Sequence, residues 1–254
     1  MFQNIIEVII LSVIQGVSEF LPVSSSAHLI LISSLYEFKS NSLLIDVSLH
    51  LGSLIAIIFF FKTELFDIKN NKRLLSLIFI GSIPLMIVGY ILYNSGLIHY
   101  LRNITVVAWT TLIFAIVLFI SDRSRFDKKI SSNLNIQSIL FIGIFQILSL
   151  IPGVSRAGIT ITAARILKFN RVDSSKISFL LSIPALAGAS ALGLKEVINQ
   201  TMDINYLVLI AIIFSFIFSF LTVKFFLIYI NKFSMNAFVI YRIVIALILF
   251  SYIY

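Results

Sequence analysis

The chain of 254 residues contains no cysteine and few charged residues. Without cysteine it has no disulfide, no thiolate nucleophile and no thiolate metal site. Charged residues make up only 12% of the chain, hydrophobic residues make up 59%, and the mean hydropathy is +1.07. A soluble domain of this length could not bury so much apolar surface, which excludes the soluble enzymes and binding domains. The composition is typical of a polytopic membrane protein.

Acidic residues are scarce as well, with 11 Asp and Glu against 19 Lys and Arg and a net charge of +8. Such an excess could suggest nucleic-acid binding, but the basic residues lie in short segments between apolar runs. That arrangement is the usual topology signal of a membrane protein. We therefore expect membrane lipid and no nucleic acid as a partner. A cleavable signal peptide is not expected, because the first apolar run lacks a basic start and a cleavage site.

The apolar runs predict about six membrane-spanning helices and two broken helical hairpins. The runs at 2–14 and 29–36 flank Pro22, and those at 136–150 and 159–167 flank Pro152-Gly153. Each is shorter than the roughly 20 residues that a crossing needs. Short helices around a proline break predict re-entrant hairpins, which are tolerated only where protein or water covers the loop. Full spans are predicted at 43–61, 74–93, 106–120, 177–194, 206–230 and 237–253.

The two halves of the chain, about 1–122 and 136–254, share one plan of a broken hairpin followed by three spans. PVSSSA at 22–27 aligns without a gap to PGVSRA at 152–157. Because three spans are an odd number, the second copy enters the membrane upside down. We therefore predict one all-α integral membrane domain over 1–254 with an inverted-topology repeat. Broken segments at matching positions of such halves point to a binding site at their interface.

The basic residues predict the orientation. Lys39, Arg102 and Lys195 fall on one face, and we expect the other, more basic face to be cytoplasmic. Both termini are then outside the cell. The more basic face receives 14 of the 19 basic residues, namely Lys62, Lys69, Lys72, Arg73, Arg123, Arg125, Lys128, Lys129, Arg165, Lys168, Arg171, Lys176, Lys224 and Lys232.

The first break, QGVSEFLPVSSSAHL at 15–29, is unusually polar for its surroundings. Gln15 and Glu19 share one helix face, and a carboxylate beside a phosphate site holds a divalent cation or orients water. The run of Ser24, Ser25 and Ser26 lies where a new helix exposes its N–H groups, and at least one of these serines is expected only to cap it. His28 is placed one turn from a serine as a general base, although a lone imidazole is more often a buried core residue.

The second break, PGVSRAGIT at 152–160, carries an arginine at membrane depth. Arg156 lies between Ser155 and Thr160 at the start of a helix, and all these groups donate hydrogen bonds. Such a convergence of donors predicts a phosphate site. The alternative is an arginine that extends to the membrane surface. Asp46 and His50 are a weaker candidate pair for the site, and Tyr241 and Arg242 are expected to be structural.

These two motifs resemble the signature motifs of the bacterial undecaprenyl-diphosphate phosphatase family, the BacA type or bacitracin resistance proteins. QGVSEFLPVSSSAHL is similar to its (E/Q)xxxE-FLPVSS-x-x-H motif, and PGVSRAGIT is similar to PGxSRSxxT. The resemblance covers motif order, spacing, length and number of spans. It implies an inner-membrane enzyme with an outward-facing active site, which hydrolyses undecaprenyl diphosphate to recycle the lipid carrier of cell-wall synthesis.

The resemblance also implies roles for individual residues. Gln15 and Glu19 match the acidic motif, Ser25 the nucleophile or phosphate-binding serine, and His28 the catalytic histidine. The phosphate-binding loop is matched by Ser155, Arg156 and Thr160. The chain departs from the family pattern where Gln15 replaces a glutamate of some members, where Ala157 replaces a serine, and where Ala27 replaces a glycine.

In our mechanistic hypothesis, the phosphates are bound by Arg156 and the helix N-termini, together with Ser24 and Ser26. Mg²⁺ or Ca²⁺ lies near Glu19 and Gln15. His28 activates either Ser25 or water, and the sequence leaves both routes open. Phosphatases of the phosphatidic acid phosphatase type are excluded, because they need a histidine after the Ser-Arg pair and none follows Arg156. A secondary transporter or channel remains the alternative function. The oligomeric state is open, and a homodimer is compatible with the sequence.

Overall fold

The computed structural model of the protein describes residues 2–25, 27–28, 32, 43–96, 103–123, 127–199 and 206–253. Apart from an isolated bridge between Lys128 and Phe169, these residues contain no strand. The helices are α1 (Phe2–Ser18), α2 (Leu43–Phe60), α3 (Lys62–Phe66), α4 (Ile68–Ser95), α5 (Ile104–Asp122), α6 (Ile130–Asn133), α7 (Ile136–Ile147), α8 (Arg156–Ile166), α9 (Arg171–Asn199), α10 (Tyr206–Lys232) and α11 (Asn236–Ile253), with a 3₁₀ turn at Leu148–Leu150.

Six helices, α2, α4, α5, α9, α10 and α11, are long and apolar enough to cross a membrane. Large apolar side chains on them are exposed, for example Phe79, Leu209 and Ile240, which suits a surface that faces lipid. The prediction of an all-helical membrane protein with about six spans is therefore confirmed. Helices α4 and α9 begin before the predicted 74–93 and 177–194, because each starts with polar residues that an apolar pattern does not detect.

Several of the described helices begin at a side chain that accepts a hydrogen bond from the first turn. Asp67 caps α4, Asn103 caps α5, and Asn135 caps α7 in a reciprocal capping box with Ser138. These side-chain oxygens satisfy N–H groups that the helix itself leaves without a partner. At the other end of α4, Gly96 has a φ of 69°, a left-handed conformation that ends the helix with little strain.

Close helix crossings position the two short helices that precede the breaks. A Cβ atom on Gly143 of α7 would lie 2.1 Å from the carbonyl oxygen of Gly81 on α4. A Cβ atom on Gly16 of α1 would lie 2.7 Å from the Cβ atom of Phe218 on α10. Glycine is required at these points because the backbones approach so closely. Helix α1 is therefore held against α10, and α7 against α4.

A buried carboxylate joins several helices at the more basic end of the molecule. Asp122, at the end of α5, is 2% exposed and pairs with Arg165 of α8 at 3.1 Å and Arg171 of α9 at 2.8 Å. It also accepts a hydrogen bond of 3.0 Å from the backbone N–H of Met235, just before α11. Because a buried charge needs such partners, this cluster fixes the ends of four helices together.

The second predicted hairpin is broken where the sequence indicated. Helix α7 and the 3₁₀ turn end before Pro152-Gly153, and α8 begins at Arg156, close to the predicted arms at 136–150 and 159–167. In the first hairpin, α1 ends at Ser18, and the residues up to Val23 form turns. The predicted second arm at 29–36 lies outside the described residues, except for residue 32.

Candidate active site

The end of α1 carries the first group of polar side chains. The N–H of Glu19 still bonds to the carbonyl oxygen of Gln15 at 3.0 Å, so Glu19 extends the last helical turn. Pro22 prevents the helix from continuing, because its ring disfavours helical geometry in the residue before it. The Nε2 atom of Gln15 donates to Oε2 of Glu19 at 2.9 Å. The carboxylate is thereby oriented by its own helix.

The same amide group connects Glu19 to α2. The Nε2 atom of Gln15 lies 3.0 Å from Nδ1 of His50. Because an amide nitrogen only donates, the ring nitrogen of His50 is the acceptor, and the ring proton is on Nε2. The structure thus brings His50 to the polar group of α1, while Asp46, one turn earlier, is exposed.

The second break turns sharply before α8. Gly153 has a φ of 93° and Ser155 a φ of 68°, and the second value is costly for a residue with a side chain. The Oγ atom of Ser155 accepts a hydrogen bond of 3.2 Å from the N–H of Gly158, so Ser155 caps α8. Arg156 is the first residue of the helix. The N–H groups of the first turn have no partner within the helix itself.

The two breaks meet in an ion pair between Glu19 and Arg156. An Nη2 nitrogen of Arg156 lies 2.8 Å from Oε1 of Glu19, and both side chains are about nine-tenths buried, with exposures of 12% and 10%. The guanidinium also donates to the carbonyl oxygens of Glu19 at 3.2 Å and of Ser178 on α9 at 3.3 Å. Arg156 therefore lies, largely buried, at the junction of both motifs.

His28 is held between its own turn and the last helix. Its Nδ1 atom is hydrogen-bonded to the carbonyl oxygen of Ser24, and Nε2 lies 2.5 Å from the hydroxyl oxygen of Tyr241, on which the ring stacks. Because a carbonyl only accepts, Nδ1 carries the proton, and Nε2 of the neutral ring is the basic nitrogen. Burial lowers the pKa of the His28 imidazole from its ordinary value, and the hydrogen bond to Ser24 opposes that shift. In this structure the lone pair of Nε2 accepts the hydrogen bond from the Tyr241 hydroxyl, so Nε2 acts as a base only where that hydroxyl gives way to the nucleophile.

The remaining predicted residues take different places. The Oγ atom of Ser24 is buried and accepts a hydrogen bond from the N–H of Ala27 at 3.3 Å. Ser25 is partly buried. Ser26 lies outside the described residues. Thr160 is fully buried and donates to Ser178 at 2.7 Å, so its contacts here are with protein atoms.

Arg242, which the sequence analysis expected to be structural, lies beside both breaks. Its guanidinium, 1% exposed, donates to the carbonyl oxygens of Gly153 and Val154 at 3.0 Å each and reaches that of Pro22 at 3.5 Å. It therefore touches the backbone of both breaks. The only sequence signal was a charge inside an apolar span, which is rare without a function.

Glu19 and Gln15 bring a carboxylate and an amide oxygen, which are possible ligands for a divalent cation, to the end of α1. Among the described residues, no group of three or more His, Asp or Glu side chains could hold a metal ion. One carboxylate and the amide oxygen of Gln15 are nevertheless what Mg²⁺ commonly takes from a protein, because substrate phosphates and water complete its coordination. The residues present thus fit an ion that is shared with a phosphorylated substrate.

Comparison with known proteins identifies relatives along the whole chain. The model of the family "Bacitracin resistance protein BacA" matches residues 8–248. An undecaprenyl-diphosphatase of Pelagibacter ubique is 66% identical over 100% of both chains. Undecaprenyl-diphosphatases of Elusimicrobium minutum and Campylobacter curvus are each 38% identical, over 96% and 97% of this chain and 96% and 98% of theirs.

Proposed function

The chain belongs to the bacitracin resistance protein BacA family, and from this membership we propose that it hydrolyses undecaprenyl diphosphate. Water adds to the terminal phosphorus, the bond to the bridging oxygen breaks, and undecaprenyl phosphate and inorganic phosphate leave. The reaction recycles the lipid carrier of cell-wall synthesis and confers bacitracin resistance. The observation that carries the proposal is the ion pair of Glu19 and Arg156, which joins the two family motifs in one buried site.

Phosphate binding is assigned to Arg156 and the start of α8. In the absence of substrate the guanidinium is neutralised by Glu19, and a diphosphate is a stronger, multiply charged competitor for it. Ser155 and the first-turn N–H groups that Ser155 does not cap then donate to the same phosphate, aided by the helix dipole. Ser24, Ser26 and Thr160 are expected to contribute to this binding as the family motifs imply.

Glu19 and Gln15 would hold the cation, Mg²⁺ or Ca²⁺, together with the diphosphate. When bound, the ion offsets the charge that develops on the leaving phosphate. The hydrogen bond from the Gln15 amide nitrogen orients the Glu19 carboxylate, and the amide oxygen of Gln15 would be the second protein ligand. Glu19 is thus released from Arg156 at the moment when the substrate takes over the guanidinium.

His28 is the proposed general base. Its Nε2 atom removes a proton from the nucleophile, and the hydrogen bond from Nδ1 to the Ser24 carbonyl keeps the ring in the required tautomer. Two nucleophiles remain, water and the hydroxyl of Ser25. Trapping of a phosphoserine at Ser25 would support the covalent route, and full activity of Ser25→Ala would exclude it.

The two breaks are proposed to be re-entrant hairpins of an inverted repeat. The pattern of helix packing supports this: α1 packs on α10, while its proposed counterpart α7 packs on α4, the counterpart of α10. We place the more basic face in the cytoplasm and the site, with both termini, on the outer side of the bacterial inner membrane. A homodimer stays a prediction.

Phosphate release from undecaprenyl diphosphate by the purified protein in detergent tests the proposed function. The reaction is run with Mg²⁺, with Ca²⁺ and with a chelator, alongside Arg156→Ala and Glu19→Ala. Release by the native protein that is lost with chelator and in both variants supports an enzyme with one site built from both motifs. A well-folded native protein that releases no phosphate would favour a transporter, which the broken, inverted helices also suit.

A further inference from the structure

Arg242 is buried in the last span, and its hydrogen bonds do not include one to a carboxylate of any described residue. Its four hydrogen bonds all go to carbonyl oxygens, those of Gly153, Val154, Pro22 and Thr111, the last at 3.3 Å from Nε. No carboxylate among the described residues lies within ion-pairing distance of it. A guanidinium at membrane depth is costly when no opposite charge compensates it. A residue that only filled space here could be apolar, so the charge and its donors require another explanation.

We propose that Arg242 is a positioning residue of the active site, which orients the peptide groups of both breaks toward the substrate phosphates. The inference rests on the proposed function. A trans peptide is planar, so the carbonyl and the following N–H point in opposite directions. With the Val154 carbonyl held by Arg242, the N–H of Ser155 points away from the guanidinium. The same holds for the Pro22 carbonyl and the N–H of Val23.

The N–H group of Ser155 makes no hydrogen bond to any described residue. Its residue has a φ of 68°, a conformation that persists only when its surroundings enforce it. Arg242 supplies that enforcement, because it holds the two carbonyl groups that precede Ser155. The unpaired N–H beside Arg156 then serves as one more fixed donor for the phosphate, as backbone groups do in other anion sites.

The charge of Arg242 also lies beside the start of α8. A Cβ atom on Gly158 would lie 2.9 Å from Nη1 of Arg242 and 3.3 Å from Oγ of Ser155. Gly158 thus leaves room for the guanidinium against the first turn of the helix. A second positive charge at this point adds to the attraction that Arg156 and the helix dipole exert on an anion.

The variant Arg242→Lys tests the proposal, since it keeps the charge and loses the fork of donors. We expect kcat per folded molecule to fall about a hundredfold, as for the loss of an aligned backbone donor. The inhibition constant of orthovanadate, which resembles the five-coordinate phosphorus of the transition state, should rise about tenfold or more. A variant that is only less well folded keeps the native inhibition constant for orthovanadate, because misfolded molecules do not contribute to the measured activity. This readout therefore separates a positioning role from a structural role. Arg123→Lys, on the exposed end of α5, is the matched control.

Gly158→Ala is the second test. It becomes the deciding test in the case that Arg242→Lys does not fold. The methyl group displaces the guanidinium without changing any charge, while alanine in a helix is by itself favourable. A folded Gly158→Ala with lowered kcat and weakened orthovanadate inhibition supports the proposal. Native kcat and native inhibition in either folded variant overturn it. Loss of phosphate release by the native protein would instead overturn the proposed function.

Discussion

Glu19 and Arg156 form an ion pair of 2.8 Å although they are 137 residues apart in the chain. Each residue belongs to a different motif, and each side chain is about nine-tenths buried, so the pair fixes the two breaks against one another. In the absence of substrate, the Glu19 carboxylate therefore occupies the guanidinium of Arg156. Under the proposed function, we expect a phosphate that binds Arg156 to replace the carboxylate and to free Glu19 for a cation.

The first prediction concerns the coupling of these two residues. Glu19→Gln and Arg156→Gln should each destabilise the protein, because each leaves a buried charge without its partner. The double variant should be less destabilised than the sum, with an interaction energy of about 2 kcal/mol. Thermal and chemical unfolding of all four proteins in detergent measures it.

Phosphate release should be lost in all three variants of that cycle, because both groups act on the substrate as one unit. If the two single variants destabilise the protein additively, with no interaction energy, Glu19 and Arg156 do not stabilise one another in solution. Native activity in the double variant would remove both residues from the site.

The second prediction is a pH dependence set by His28. A base must be neutral, and its pKa is lowered from the ordinary value of 6.5 by burial. The active form is therefore fully present at neutral pH and is lost as the pH falls through a value below 6.5. The pH profile of kcat/KM for phosphate release checks this.

Tyr241→Phe extends the same test, because it removes the hydroxyl group at Nε2 while keeping the stacked ring. We expect the acidic limb to move in this variant and to disappear in His28→Gln. An acidic limb with its midpoint above the ordinary value, or one that survives in His28→Gln, would assign the titration to another group.

The helices and breaks were predictable because apolar runs and prolines are local signals. The break at Pro152-Gly153 and the six spans follow from them. The early starts of α4 and α9 do not, because residues such as Lys69 and Asp173 are polar although they are helical. A hydropathy pattern marks where a helix is apolar and not where its backbone hydrogen bonds begin.

The site was predictable only where a motif marked it. The motifs marked Glu19, His28 and Arg156 as candidates, but the ion pair of Glu19 and Arg156 depends on how distant helices pack. Arg242 binds backbone carbonyls, which every residue possesses and no sequence pattern records. His28 and Tyr241 are 213 residues apart, and their stacking likewise leaves no local signal.

The third prediction concerns stability at the more basic end. Asp122→Asn should lower the free energy of unfolding by about 3 kcal/mol, because Arg165, which is 2% exposed, loses its counter-charge. Asp67→Asn is the matched control, because position 67 at the start of α4 is exposed and asparagine is as good a helix cap as aspartate. Chemical denaturation in detergent measures both. Equal stability of the two variants would mean that Asp122 contributes no net stabilisation.

The last prediction concerns the cation and uses Gln15, where some members of the family have glutamate. Gln15→Glu adds a second carboxylate beside Glu19 and removes the amide hydrogen bonds to Glu19 and His50. Because cation affinity rises with the number of charged ligands, the Mg²⁺ concentration for half-maximal phosphate release should fall several-fold. Gln137→Glu, exposed at the start of α7, controls for the added charge alone. If the Mg²⁺ requirement is unchanged or higher in Gln15→Glu, the cation is not held between these two residues, and Glu19 acts on the substrate without it.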